Sequence, residues 1–122
     1  MTTNYKIKLI IAGSRDFSDY NLLEQAIKEN FTLNELVEIV SGTARGADSL
    51  GEIFANKYNI PIKRFPANWD LYGKSAGYRR NVEMAAYADA LIAFWDGQSR
   101  GTMHMIDIAE HNNLKVIIIN YK

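Results

Sequence analysis

The chain has 122 residues, with 14 Lys and Arg against 14 Asp and Glu and a formal net charge of zero. Apolar residues at 48% and charged residues at 23% are ordinary globular usage, which with this length excludes disorder and fibrous repeats and predicts a single domain over residues 1–122. Zero net charge removes the global field by which a generic binder of nucleic acid or acidic membrane draws in its partner, so any anion site has to be built locally.

The sequence contains no cysteine. Disulfides, thiolate catalysis and cysteine-based metal sites are thereby excluded, and a cytoplasmic setting fits. Residues 1–6 carry neither a secretory apolar stretch nor an Arg- and Ser-rich transit pattern, and no apolar run approaches about 20 residues, so neither targeting nor a membrane as partner is expected.

Residues 6–12 (KIKLIIA) form a short Ile- and Leu-rich run ending at Gly13, the pattern of a strand buried on both faces of a parallel sheet. Over 21–30, Leu22, Leu23, Ala26 and Ile27 recur at helical spacing, with Ser18 or Asp19 as N-cap. Residues 36–40 are a second strand, and Ala47, Leu50, Phe54 and Tyr58 mark the helix after it. Pro61 and Pro66 bracket a weakly apolar third strand over 61–65, placed at a sheet edge. Residues 67–77 read as the longest irregular stretch. A helix over 78–88, a strand over 90–95, a helix over 102–112 and a strand over 115–120 complete the chain. Five strands alternating with four helices predict an α/β, Rossmann-like, three-layer domain. Its parallel five-stranded sheet takes the order 3-2-1-4-5, with the ligand crevice where the chain reverses between the first and fourth strands.

Three small-residue loops follow the predicted strands. The first offers Gly13, Ser14 and Arg15, a sharp turn with two side-chain donors for an anion. The second, SGTARGAD, brings Ser41, Gly42, Thr43, Arg45, Gly46 and Asp48 to the start of a helix, where free N–H groups and the dipole favour phosphate. It lacks the Gly-Lys-Ser/Thr of a Walker A loop and the G-x-G-x-x-G fingerprint; the other reading is a tight turn whose helix Asp48 caps. The third places Asp96, Gly97, Ser99, Arg100, Gly101 and Thr102 around another helix start, a second phosphate cradle.

Arg80, at the start of a helix where a cation is unfavourable, is the further ligand candidate, while Arg79 reads as solvated or paired with Glu83. Trp69, Tyr72 and Tyr78 are candidates to stack on a base, or to pin their loop to the core. His104 falls one turn into the last helix, where partial protonation near neutral pH would let it serve as a catalytic acid or a ligand donor; the other reading is a surface histidine. His104 and His111 are seven residues apart with no third ligand, so no metal is expected, nor any cofactor.

In this order, GSRDF at 13–17, SGTARGAD at 41–48, Trp69 with Tyr72-Gly73 and Ala76-Gly77, Arg80-Asn81 with Met84, Ala88-Asp89, and SRGT at 99–102 resemble the YspA-like branch of the SLOG superfamily across nearly the whole chain. The resemblance implies a Rossmann-like fold that binds a nucleotide or nucleotide-derived small molecule, as sensor or enzyme, and a homo-oligomer. Arg80, Met84 and Gly101-Thr102 are also similar to blocks of the Lonely-guy phosphoribohydrolases, which cleave the N-glycosidic bond of nucleoside monophosphates. That likeness implies Arg80 as catalytic-type arginine and Gly101-Thr102 as phosphate binder. Where that family has a glutamate, this chain has His104, so an enzyme here would draw its carboxylate from Asp16, Asp48 or Asp96. SGTARGAD further resembles a block of the DNA-processing recombination mediator, which binds single-stranded DNA. A neutral chain without a basic stripe weighs against nucleic acid as the partner.

Overall fold

The computed structural model describes residues 6–122. The reading of the first residues as free of a targeting leader falls on residues 1–5, outside those described, apart from Lys6.

Five parallel strands, β1 (Ile7–Gly13), β2 (Leu36–Ser41), β3 (Ile62–Arg64), β4 (Ala90–Trp95) and β5 (Lys115–Asn120), lie in the order β3-β2-β1-β4-β5. This is the α/β Rossmann-like sheet and the strand order that the alternation predicts. Strand β1 is central, and its period-two alternation feeds two cores. Leu9 and Ile11 pack with Leu23 and Ile27 of α1 (Tyr20–Asn30) and Phe54 of α2 (Ala47–Lys57). Ile10 and Ala12 face the other way, into the cluster with Met84 and Ala85 of α4 (Ala76–Tyr87) and Met105 and Ile106 of α5 (Arg100–His111). Helices on both faces leave the interior strands almost wholly apolar, as parallel sheets require.

Helix α2 begins at Ala47 as its spacing indicates, whereas α1, α4 and α5 begin one or two residues earlier, because first-turn residues need carry no periodicity. Asp19 caps α1 by accepting from the Leu22 N–H at 3.1 Å, and Ser99 caps α5. The larger difference is at residues 67–77. In place of an irregular loop there is one helical turn, α3 (Trp69–Tyr72), followed by a 3-10 turn over Gly73–Ser75 that runs into α4. Asn68 starts α3 by accepting the Leu71 N–H at 3.1 Å, and Gly73, at φ 55°, ends it. One turn is too short to leave a periodic signature.

The β1–β4 seam fixes where a site can form. The Ser14 N–H donates to the Phe94 carbonyl at 3.0 Å, so the loops after the two strands leave the sheet side by side. Among the described residues no helix is long and apolar enough to cross a membrane.

Candidate nucleotide crevice

A cavity of about 230 Å³ opens at the carboxyl ends of β1 and β4. Its walls come from the loop after β1 (Gly13, Arg15), the start of α2 (Ala44, Asp48), the α3–α4 segment (Trp69, Tyr78, Arg80) and the first turn of α5 (Ser99, Gly101, Thr102). A second compartment of about 360 Å³ shares Arg15, Ala44, Trp69 and Arg80 with the first and adds Gly42, Thr43 and Arg45.

Arg80 stands between the compartments and is held from two sides. Its Nη1 donates to the Gly42 carbonyl, and its Nε donates to Asn81 Oδ1 at 3.0 Å. Burial lowers its pKa from the usual value, opposed by the carboxylate of Asp48; a guanidinium still stays charged. Gly42 leaves room for this clamp, since a Cβ would lie 2.6 Å from Arg80 Nη1 and 2.8 Å from Asp48 Oδ2 and both side chains would have to shift.

Asp48 is 6% exposed, and its Oδ2 accepts the Ala44 N–H at 3.0 Å. It therefore ties the loop to the first turn of α2 rather than capping the helix from outside; Gly46 is the N-cap and makes no side-chain bond. Burial pushes the Asp48 carboxyl up to about 6, against the opposing pull of the Ala44 N–H and the Arg80 and Arg15 charges. The two other carboxylates considered from sequence are placed differently. Asp96 Oδ1 accepts the N–H groups of Gln98 and Ser99 at 2.8 and 2.7 Å, which hold its pKa below the usual range. Asp16 is clasped by Lys122 and Tyr121, the Lys122 bond first in holding it low. Neither lines the cavity.

At the first turn of α5, Ser99 Oγ accepts the Thr102 N–H at 3.4 Å and lies 3.1 Å from Thr102 Oγ1. Asn81, 5% exposed, joins this turn to Arg80: its Nδ2 donates to the Gly101 carbonyl at 3.3 Å and to His104 Nδ1 at 3.2 Å. A donor facing Nδ1 suits a neutral ring protonated on Nε2, and burial lowers the His104 pKa in the same sense. His104 packs edge-on against Tyr78, with ring centroids 4.6 Å apart, and reaches the site through these neighbours.

With this geometry in place, the comparison with known proteins is specific. The model of the YspA, cpYpsA-related SLOG family (YAcAr) matches residues 7–72. The chain belongs to this family. This SLOG protein is 32% identical over 117 residues to the Gene 61 protein of Mycobacterium phage D29, covering 90% of the chain and 94% of the phage protein. Its fold is similar to the X-ray structure of DNA processing protein A (DprA) from Streptococcus pneumoniae, with a TM-score of 0.74 at 20% identity. That match covers 96% of this chain and 51% of the streptococcal one, so the chain spans about half the length of that relative.

The SLOG crevice gathers Gly13, Arg15, Asp48, Trp69, Tyr78, Arg80, Ser99, Gly101 and Thr102 in the first compartment, and Gly42, Thr43 and Arg45 in the second. Ser14, Ser41, Gly46, Tyr72, Gly97, Arg100 and His104 line neither. Ser14 Oγ accepts the Asp96 N–H at 3.3 Å, and Ser41 Oγ donates to Glu52 at 2.7 Å, so both brace the loops from beneath. Tyr72 is covered by the Arg79 guanidinium, 4.3 Å from its ring, and Arg79 bonds Ser75 rather than Glu83. Asn81, named from sequence only as part of a motif, and Lys74 also line the first compartment and were not among the expected site residues. Asn81 had a signal: it falls in register with Met84, Ala85 and Ala88 on the buried face of α4, where a polar side chain needs partners.

Proposed function

We propose that this SLOG protein binds a nucleotide or nucleotide-derived small molecule in the crevice, as a sensor or carrier. The observation that carries this reading is the joint presence, in one cavity, of the clamped Arg80 guanidinium, Arg15 and the first turn of α5. Free N–H groups and hydroxyls at a helix start, faced by two cations, suit a phosphate. Trp69 and Tyr78, 52% and 44% exposed at the mouth, offer aromatic faces to a base. The family and the fold support a nucleotide-related role in general terms. Calorimetric titration with nucleoside 5′-phosphates tests it: saturable heat that weakens in Arg15→Ala supports the reading, and no heat at millimolar ligand refutes it.

A second reading, hydrolysis of a nucleotide N-glycosidic bond, is favoured by Asp48. It is the one carboxylate of the three considered that reaches the cavity, and it does so beside Arg80 with its pKa near 6. Release of free base from a nucleoside monophosphate, lost in Asp48→Asn, would establish it. The same proposal takes the protein as a homo-oligomer in the cytoplasm, with exposed Leu71, Tyr72 and Val82 available for self-association; light scattering tests the former and fractionation the latter. Retention of single-stranded DNA with a steep salt dependence would replace the small ligand by a polymer.

A further inference from the structure

Asp48 has work left undone. Although 6% exposed, it lines the cavity, and only Oδ2 is used internally. Among the described residues Oδ1 takes no hydrogen bond, and no ion pair closes between Asp48 and Arg80. Among the described residues no enclosed side-chain oxygen lacks a partner, so Oδ1 is open to the cavity and offers an acceptor to whatever fills it. A phosphate dianion cannot supply a donor and would be repelled. An ammonium group is disfavoured because Arg80 and Arg15 already place positive charge beside this carboxylate. What remains is a neutral donor on a ligand whose anionic part engages those same arginines.

We propose that Asp48 accepts a hydrogen bond from a sugar hydroxyl of the ligand, so that the crevice discriminates against nucleotides whose sugar lacks that hydroxyl. This rests on the nucleotide reading above and narrows it to a substrate class. A nucleotide carries vicinal hydroxyls a few bonds from its phosphate, and carboxylates elsewhere hold ribose in this way. The groups facing Asp48 are Arg80 from α4, Arg15 from the loop after β1, Glu52 from its own helix and the Ala44 N–H. Since a hydroxyl donor stabilises the ionised form, the ligand lowers the Asp48 pKa, and hydroxyl-dependent binding strengthens as pH rises through about 6. A phosphate seated there would produce the opposite sign.

The test is calorimetric titration of the 5′-monophosphates of adenosine, guanosine, cytidine and uridine, with their 2′-deoxy and 3′-deoxy analogues, into the full chain and into Asp48→Asn. The wild-type protein should bind a ribose form on the order of tenfold or more tighter than at least one deoxy form. Asp48→Asn keeps an acceptor for the Ala44 N–H and should reduce that ratio to about one while still binding. In the wild type the ratio should shrink between about pH 7.5 and about pH 5, an arm that decides the question even if the variant fails to fold. Equal binding of ribose and deoxy forms overturns the inference and leaves nucleotide binding standing. So does discrimination that follows the base's amino group, or that persists unchanged in Asp48→Asn or at low pH. Absence of binding by every probe overturns both readings.

Discussion

The starts of α2 and α5 are written alike, each with two glycines, an arginine and a hydroxyl, yet they fold into different devices. At α2 the glycine N-cap makes no side-chain bond, the turn is clamped by the Arg80 bond to the Gly42 carbonyl, and the helix contributes a buried acid. At α5 the caps are local: Ser99 caps the helix, Asp96 holds the N–H groups of Gln98 and Ser99, and the first turn lines the cavity. One end is clamped by a distant cation and offers an acceptor; the other is capped by its own side chains and offers donors. What separates them is the neighbour each packs against, since the Arg80 guanidinium reaches across to one, whereas the neutral Asn81 and Ser14 side chains brace the other.

Gly42→Ala should break the contrast most severely. Its Cβ would meet Arg80 Nη1 at 2.6 Å and Asp48 Oδ2 at 2.8 Å, so the clamp must open. We expect loss of ligand binding by calorimetry and a destabilisation of about 1–3 kcal/mol by urea unfolding.

Asp48→Asn should instead stabilise the fold. The folded Asp48 carboxyl is raised from 3.8 to about 6, so between those values the folded chain binds more protons than the unfolded one, and stability falls as pH rises through that window. The cost is complete above about pH 7, at about 3 kcal/mol. Asparagine mimics the protonated carboxyl, so its advantage should reach that size near neutrality and vanish below about pH 4; parallel urea titrations at the two pH values check this.

Asn81→Ala removes the partner of Arg80 Nε and the donor to the Gly101 carbonyl together. A loss of about 2 kcal/mol is expected, with weaker ligand binding because the arginine is no longer held against the α5 turn. Asp96→Ala should cause the smallest destabilisation of the set, by freeing the Gln98 and Ser99 N–H groups, and should leave any ribose preference intact, since Asp48 lies at the other helix start. Equal loss of that preference in Asp96→Ala would erase the distinction between the two ends.

The sheet was legible because alternation of apolar strands and amphipathic helices admits few right-handed arrangements, and β4 and β5 have the boundaries that their apolar runs mark. Residues 67–77 were not, because α3 is one turn held by the Asn68 cap and shows no repeat. Among the arginines, position at a helix start suggested Arg80 and Arg100 equally. Arg80 became a site residue through a carbonyl 38 positions away in the chain, whereas Arg100 stayed exposed, and such a partner is visible only after the strands are ordered. Asp96 and Asp48 differ for the same reason: two local N–H groups keep one ionised, and burial beneath the 42–46 turn raises the other.

The β1–β4 seam gives the crevice a thermodynamic meaning. Arg15 and Asp48 come from one side of the seam, and Arg80, Gly101 and Thr102 come from segments later in the chain. No shorter assembly has the whole cavity, so binding and folding form one linked equilibrium. A ligand that spans the seam acts as a reversible cross-link, adding about 2.7 kcal/mol to the folded state at a hundredfold excess over its Kd. In a small neutral protein that increment is a large share of total stability, and ligand supply could set how much of the chain persists in folded form.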